Sequence, residues 1–484
     1  MAREDKILTP VRAIAPILLL ISLLACSVYL FGSDSSYGAN QIALLLSAGF
    51  VGLVAMGAGW SWKEVEQGIL QGIRLCLGPL LILMSVGMLI GSWILAGVIP
   101  AIIYYGVDIL SPSMFYAATA VLCAITAVSI GSSWTVAGTI GIGMMAIAAS
   151  FGLSPGITAG AIISGAYLGD KLSPLSDTTN LASGIAGVDL FAHIRHLLWT
   201  TVPSFVLALI ALSLFGGGSV SSPQQIAELR YSLGQQFNIG PYLFLPLFIM
   251  LFLSYRKVSA LASIMISALV GILFALVFQA PATLALADQA DIPRAMQLMQ
   301  GVWISLFNGY TANSGNEFMD QLLSKGGLIS MLNTCALIIC AMAFGGAIEK
   351  VGILEYLVGA ALKRVHSTGG LVTATVGTCV ASNVVTSDQF IAITVPGRMF
   401  RSEFQRRGLS PLNLSRTLED SATLTSALVP WNTCGAYMAA TLGVSTFSYA
   451  PFAFFNYLCP LIAILYGYWH IAQKPLEAPL PEPV

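Results

Sequence analysis

The sequence predicts an all-α polytopic membrane protein built from two inverted-topology repeats, and three observations carry that prediction. The 484 residues are 56% hydrophobic and only 9% charged, whereas soluble domains carry about 25% charged residues. Apolar runs of about 20 residues, long enough to cross a bilayer core, follow one another along the chain. Polar, helix-breaking interruptions recur in both halves. We therefore expect about ten transmembrane helices plus two re-entrant hairpins.

The predicted spans follow from the apolar runs. The first run is long for a signal peptide and lacks a clear small-residue cleavage site, which indicates a retained helix. Two further apolar segments, about 113–150 and about 368–397, are broken in the middle and predict the hairpins. The ten spans are 13–31, 40–59, 76–97, 155–182 (interrupted), 196–216, 241–254, 258–279, 328–348, 410–440 (interrupted) and 447–470.

The spans divide the chain into two repeats. The first covers 1–217, an external linker covers 218–240, the second repeat covers 241–472, and a cytoplasmic tail covers 473–484. We interpret segment 280–327 as an external, solvated loop, with a structured gate as the alternative. Each repeat then contains helices, a broken hairpin, an interrupted helix and a final helix.

The distribution of basic residues predicts the orientation. With the N-terminus in the cytoplasm, 17 of the 21 lysines and arginines fall in cytoplasmic segments. Arg230, Arg294 and Lys325 fall outside, and Lys171 falls within a span. Cytoplasmic loops of membrane proteins are enriched in basic residues, so both termini are predicted to be cytoplasmic.

The polar interruptions of the two halves lie at similar spacings. Ser132 and Ser382 are 250 residues apart, and so are Asp170 and Asp420. Backbone at membrane depth must be buried or line a wet cavity, and paired interrupted segments in two halves indicate a transporter's binding site. We expect all four interruptions to meet near the bilayer midplane.

The strongest candidates for an ion-binding site lie in the stretch 165–182. Carboxylates inside a membrane are costly and usually functional. Na⁺ is a hard cation that prefers oxygen ligands, by analogy with other hard cations. A buried aspartate can hold either a proton or Na⁺, and this competition is the simplest chemistry of antiport. The predicted ion-binding and proton-binding residues here are Asp170, Asp177, Thr178, Thr179 and Asn180, with Na⁺ at Asp170 and Asp177.

Lys171 leaves two readings open, because it could be a counter-ion or an anion site. A structural ion pair of Lys171 with Asp170 or Asp177 is the alternative to a functional aspartate. Glu419 is interpreted as a helix cap, and Asp388 has a structural alternative as a stabiliser of the hairpin's second arm. The other candidates are Asp420, Asn432 and Thr433 for the ion, and Ser132, Ser133, Thr135, Ser382, Asn383, Thr386 and Asp388 at the hairpin tips, where substrate could bind.

Three stretches resemble the NhaC family of Na⁺/H⁺ antiporters, within the ion transporter superfamily. They are GDKLSPLSDTTNLA (169–182), SSWTVAGTIG (132–141), and the run from SNVVTSDQ (382–389) to LEDSATLTSALVPWNTCGAY (418–437). The resemblance implies a homodimer in a bacterial plasma membrane that moves Na⁺ out against H⁺ and needs no cofactor.

The resemblance leaves one alternative function. Some relatives exchange Na⁺ and protons together with an organic acid such as malate or lactate, so Na⁺- or H⁺-coupled exchange of a small organic acid or amino acid stays open. Neither hairpin tip contains the Ser-Asn-Thr of dicarboxylate transporters in the superfamily. A channel and an intramembrane enzyme are weaker alternatives, because no GxSxG, HExxH or CxxC lies at membrane depth.

Overall fold

The computed structural model describes residues 8–216, 223–287, 291–313, 317–362 and 365–476. Arg3, Lys6, Lys363 and Arg364 of the charge count lie outside these ranges, as do parts of the predicted linker and tail. The first half contains α1 (Pro10–Phe31), α2 (Ala39–Met56), α3 (Trp62–Leu75), α4 (Leu77–Leu95), α5 (Val98–Ile109), α6 (Phe115–Ile130), α7 (Ser133–Val136), α8 (Ile142–Ser150), α9 (Pro155–Leu172), α10 (Asp177–Ala186) and α11 (Leu190–Leu214).

The second half is also helical. It contains α12 (Pro223–Gln236), α13 (Leu245–Tyr255), α14 (Ala260–Phe278), α15 (Ala280–Ala285), α16 (Arg294–Phe307), α17 (Glu317–Leu323), α18 (Ile329–Val351), α19 (Ile353–Leu362), α20 (Thr368–Val385), α21 (Gln389–Arg406), α22 (Pro411–Leu418), α23 (Thr433–Leu442), α24 (Thr446–Tyr449) and α25 (Phe454–Trp469). Within the described ranges, the one β-bridge joins Leu409 and Pro475.

The helices confirm the predicted fold class. Nine helices in the described part of the chain are long and apolar enough to cross a membrane, and two bent pairs bring the number to eleven. Three of the nine are arms of the predicted hairpins: Pro112–Ile130, Ser133–Ser150 and Thr368–Val385. Each of the ten predicted spans corresponds to a helix or to a broken helix pair. The chain is therefore a multi-pass membrane protein with re-entrant elements.

Helix α18 runs antiparallel to α3 and α4, which together form one long helical segment, Trp62–Leu95. A Cβ at Gly72 in α3 would lie 2.2 Å from the carbonyl oxygen of Met342, in the second half of α18. At the other end, the backbone nitrogen of Gly327, just before α18, donates to the carbonyl of Gly87 in α4 at 2.7 Å. Only glycine at position 72 permits this close backbone approach.

The solvated-loop prediction for segment 280–327 is wrong. Helices α15, α16 and α17 lie there, and α16 packs against α4. Met296, Met299 and Trp303 project from α16 as exposed apolar side chains, which is typical of a face turned to lipid. Helix α16 was not predicted from the sequence because it has 14 residues, too few to cross the bilayer alone.

The two halves repeat at a spacing that the sequence comparison missed. Both interrupted helices begin with Ser-Pro, at Ser154–Pro155 and Ser410–Pro411, 256 positions apart. The second arms of the hairpins begin at Ser133 and Gln389, again 256 apart, and α10 and α23 keep the same offset. The 250-residue spacing is therefore coincidental, and the structural counterpart of Asp170 is Ser426.

Candidate functional site

The first hairpin tip and the first interrupted helix meet at Asp170. This residue lies near the carboxyl end of α9, just before the break at 173–176. Its carboxylate accepts a hydrogen bond from the backbone nitrogen of Ser133 at 2.8 Å and a second, short one from the Ser133 hydroxyl. The tip turns at Gly131, whose φ of +81° suits glycine, and a Cβ there would lie 2.7 Å from Leu175 in the break.

Hydroxyl groups surround the same point. Thr178 and Thr179, at the start of α10, donate to the carbonyl oxygen of Asp170 at 3.1 and 2.5 Å. Ser132 caps the second arm of the hairpin and accepts from the backbone nitrogen and the hydroxyl of Thr135. Carbonyls at a helix carboxyl end attract cations, so the set offers carboxylate, carbonyl and hydroxyl oxygens suited to Na⁺.

Two predicted ligands lie apart from this set. Asp177 is the first residue of α10, and its side chain is exposed. Asn180 is also exposed, and its amide donates to the carbonyls of Pro174 and Ser176 at 3.0 and 2.7 Å. Asn180 therefore supports the backbone of the break, and Asp177 faces an accessible surface.

Lys171 forms an ion pair with Asp420 across the two halves. Both side chains are completely buried. Thr200 of α11 donates to the same Asp420 oxygen at 2.9 Å, and the Lys171 ammonium also contacts the Cys459 sulfur at 2.8 Å. The expected alternative pairing of Lys171 with Asp170 or Asp177 is wrong, because Asp420 takes that place. Lys171 is a counter-ion, and its charge is already engaged.

The second tip and the second interrupted helix also meet, but through amides. The Asn383 side chain donates to the Ala422 carbonyl at 2.7 Å and to the Thr425 hydroxyl at 2.9 Å. Asn432 donates to the carbonyl and the side-chain oxygen of Asn383, both at 3.2 Å, and caps α23. Trp431 donates to the Val384 carbonyl at 2.8 Å. These bonds satisfy backbone groups that the break leaves free.

The remaining tip residues serve local backbone contacts. Asp388 caps α21 by accepting a hydrogen bond from the backbone nitrogen of Ile391 at 2.9 Å. This contact corresponds to the structural role that the sequence left open for Asp388, the stabilisation of the hairpin's second arm. The hydroxyls of Ser382 and Thr386 donate to carbonyls one turn earlier in α20. The backbone nitrogen of Thr433 donates to the carbonyl of Ser387. The sequence analysis missed Ser387, which has a φ of +59° and a buried hydroxyl.

Glu419 was misjudged from the sequence. It lies in the π-helical turn Glu419–Thr423 that continues α22, so it caps no helix. Its side chain is completely buried, and the hydroxyl of Thr423, four residues later, lies beside its carboxylate. Single-turn π-helices occur frequently at functional sites. A Glu-Asp pair inside an apolar segment was the signal that could have identified it.

An aromatic stack also joins the two halves. The rings of Trp134, at the first tip, and Tyr437, in α23, are stacked with centroids 4.0 Å apart and planes 11° apart. The Tyr437 hydroxyl donates to the Trp134 carbonyl at 2.9 Å. Together with the Lys171–Asp420 pair, this contact brings all four interruptions into one region.

A cavity of about 740 Å³ leads to the second break. Asp34, Tyr310 and Lys325 contribute to its wall, and Pro430 of the second break lines it too. Lys325 lies in the connection between α17 and α18, and its side chain is exposed. The cavity is large enough for ions and for small organic solutes.

Comparisons with known proteins identify the family of this chain. A family model described as the Na⁺/H⁺ antiporter family matches residues 7–178 and 165–471. The chain is 38% identical over 428 residues to the Na⁺/H⁺ antiporter NhaC of Alkalihalophilus pseudofirmus, covering 88% of each chain. It is 37% identical to the malate-2H⁺/Na⁺-lactate antiporter of Bacillus subtilis (90% and 92% covered) and 35% identical to the arginine/ornithine antiporter ArcD of Halobacterium salinarum (97% and 94% covered).

Proposed function

Since this chain belongs to the Na⁺/H⁺ antiporter family, we propose that it is a secondary active antiporter that exchanges Na⁺ for H⁺ across the bacterial plasma membrane. The observation that carries the proposal is the Asp170 carboxylate at the end of a half-helix. It is 7% exposed, is held by Ser133 and lies beside a carbonyl that two threonine hydroxyls contact. The protein is a transporter, not an enzyme.

Competition at Asp170 drives the exchange in this proposal. When Asp170 is ionised, its carboxylate binds Na⁺ together with the oxygens of Ser133, Thr178 and Thr179. When a proton neutralises Asp170, the main charge that attracts Na⁺ is gone, and the ion leaves. A carboxylate at membrane depth is stable only when a proton, a cation or a counter-ion compensates its charge. One group therefore carries either ion but not both.

The second half supports the site. Asp420 and Lys171 compensate each other, so the pair keeps a buried ammonium from repelling Na⁺ at the neighbouring Asp170. Asn383, Asn432 and the other tip residues hold the second break in shape. Asp177 faces an exposed surface near Asp170 and acts in this scheme as an attracting charge on the access path.

Orientation and assembly belong to the proposal as well. The basic-residue distribution supports cytoplasmic termini, which would place the 740 Å³ cavity on the external side. This arrangement corresponds to a state open to the outside. The homodimer remains an expectation from the family.

A second candidate is Na⁺- or H⁺-coupled exchange of a small organic acid or amino acid. The cavity favours it, because its volume lies within the range of small-molecule sites and Lys325 supplies a positive charge on its wall. Two relatives whose names are malate-2H⁺/Na⁺-lactate antiporter and arginine/ornithine antiporter support this candidate.

Reconstitution into proteoliposomes tests both candidates. Lumenal pH is followed with an entrapped dye after external Na⁺ pulses, with the Asp170→Asn variant and empty vesicles as controls. We expect proton movement with no organic solute present. Proton movement that begins only after malate, lactate, arginine or ornithine is added would favour the second candidate and reject simple Na⁺/H⁺ exchange.

A further inference from the structure

A recess near the beginning of α11 is lined by side chains that the proposed exchange does not use. Its volume is about 310 Å³, and its walls are Ala192, Arg195, His196 and Trp199 of α11 together with Lys474. The four α11 residues lie three, four and seven positions apart, so they share one face of the helix. We call this site the α11 recess. It is formed by one helix face and by the segment that follows α25.

The α11 recess is electropositive. Arg195 and Lys474 are exposed, and neither forms an ion pair with a carboxylate of the residues that the structure describes. The charges that act on the buried ring of His196 are those of Arg416 and Lys474, which are both positive. Asp189, the carboxylate nearest to Arg195 in sequence, is engaged as the cap of α11. The recess therefore suits an anion.

Hydrogen bonds fix the position of Lys474 at the recess. Its backbone nitrogen donates to Oδ1 of Asn413 at 3.0 Å, and its carbonyl accepts from the Asn413 amide at 2.6 Å. The same carbonyl accepts from the backbone nitrogen of Ser410 at 3.0 Å. A nitrogen of the His196 ring lies 3.2 Å from the same Asn413 oxygen. Two distant parts of the chain are thus held together before a ligand binds, which lowers the ordering cost of binding.

An apolar stripe continues from the recess along α11. It consists of Trp199, Val202, Val206 and Ile210, which are exposed and follow one another at spacings of three and four residues. At 1.5 Å per residue, Trp199 and Ile210 are about 16 Å apart along the helix, close to half of the roughly 30 Å hydrocarbon core. Tryptophan is enriched at the membrane–water interface. One face of α11 therefore combines cationic groups at its beginning with apolar surface across one leaflet.

We propose that the α11 recess binds the phosphate headgroup of an anionic phospholipid, with one acyl chain along the apolar stripe. The phosphate oxygens accept charge-assisted hydrogen bonds from Arg195 and Lys474. Basic pockets between transmembrane helices recognise anionic headgroups through such contacts. A free phosphate has the same charge but leaves the stripe unused, so the continuity of recess and stripe favours a lipid. The inference is independent of the proposed Na⁺/H⁺ exchange.

The bound headgroup has a structural consequence. It joins α11 to the segment 471–476, and the partner of that segment, Asn413, lies in the first turn of α22. Helix α22 begins the second interrupted helix. The lipid should therefore stabilise the contact between the end of the chain and the second interrupted helix.

Native mass spectrometry and thermal unfolding of the full-length protein in detergent test the proposal. The probes are phosphatidylglycerol and phosphatidylcholine with identical acyl chains, and inorganic phosphate alone. We expect phosphatidylglycerol to stay bound and to raise the midpoint of thermal unfolding, with much smaller effects of the other two. Arg195→Gln/Lys474→Gln should lower the apparent affinity for phosphatidylglycerol about 30-fold, which corresponds to about 1 kcal/mol for each charge.

A matched control removes the same number of charges elsewhere. Arg256→Gln/Lys257→Gln neutralises two exposed residues in the connection between α13 and α14, and it should bind phosphatidylglycerol like wild type. Equal affinity of Arg195→Gln/Lys474→Gln and wild type, or an equal loss in the control, overturns the site. A thermal shift by inorganic phosphate as large as that by phosphatidylglycerol indicates a free-anion site and overturns the lipid assignment.

A second measurement needs no variant. Wild-type protein is photolabelled with phosphatidylglycerol that carries a diazirine on one acyl chain, and the labelled peptides are identified by mass spectrometry. Labelling within Leu190–Leu214, the range of α11, that excess phosphatidylglycerol suppresses supports the inference. Labelling confined to other helices contradicts it, even if Arg195→Gln/Lys474→Gln does not fold.

Discussion

The two interrupted helices occupy equivalent places in the two halves but carry different chemistry. In the first, Asp170 comes three residues before the break and binds the hairpin tip through its carboxylate. The hydroxyl of its counterpart Ser426 donates to the carbonyl of Thr423, three residues earlier. In the second, the acidic residues Glu419 and Asp420 lie a turn and a half or more earlier, on a π-helical turn.

The difference shows that a structural repeat need not repeat its ligands. The second half keeps the break and the hairpin but closes them with amide and backbone hydrogen bonds. Its Asp420 carboxylate instead pairs with Lys171 of the first half. In the proposed mechanism both repeats contribute to one site, so exchanging equivalent residues between the halves should have unequal effects.

The largest expected effect is at Asp170, where the two halves differ most in chemistry. Asp170→Asn removes the ionisable group but keeps its shape, so Na⁺/H⁺ exchange should fall to the level of empty vesicles. Ser426→Ala, at the equivalent position, should leave exchange close to wild type. The measurement is the lumenal pH change after a Na⁺ pulse, with purified yield as the folding control. Normal exchange by Asp170→Asn would remove the basis of the proposed mechanism.

The next largest effect is expected on stability, when the Lys171–Asp420 ion pair between the halves is broken. Lys171→Gln leaves Asp420 buried without its counter-ion, and breaking a buried pair in this way costs about 3–5 kcal/mol. The double variant Lys171→Gln/Asp420→Asn removes both charges and should recover much of that loss. Thermal unfolding in detergent measures the coupling as a double-mutant cycle. Additive effects would mean that the two charges do not stabilise each other.

Substitutions in the hairpin contacts should distinguish the two halves by their effect on apparent Na⁺ affinity. Ser133→Ala removes a hydroxyl that holds Asp170, and by analogy with groups that orient metal ligands, apparent Na⁺ affinity should fall roughly 10–100-fold. Gln389→Ala, its equivalent 256 residues later, removes a hydrogen bond to the Thr423 carbonyl and should change Na⁺ affinity less. Na⁺ titration of the initial exchange rate compares them. A greater effect at Gln389 would reverse the assignment of the two halves.

The smallest effect is expected at the exposed Asp177. Asp177→Asn removes a charge that water screens, so apparent Na⁺ affinity should decrease by about twofold to fivefold, corresponding to 1 kcal/mol or less. Rising ionic strength should reduce the difference from wild type. Loss of exchange as complete as in Asp170→Asn would place Asp177 in the binding site itself.

Composition and apolar run length predicted the helical membrane fold because burial in lipid dictates both. They failed for α16, whose 14 residues are too few to cross the bilayer alone. The interruptions were predictable from breakers and polar residues, and so was Asp170. The pairing of Lys171 with Asp420 was not, because a contact across 249 positions depends on tertiary packing. Glu419 was misjudged although the sequence held a signal, the Glu-Asp pair inside an apolar segment.

The stack of Trp134 on Tyr437 has a mechanical consequence. It ties the first hairpin tip to the helix that follows the second break, while Lys171 and Asp420 tie the first interrupted helix to the second. A hinge motion of one repeat against the other would break both contacts. Any displacement that keeps both contacts intact therefore moves the two breaks together as one unit.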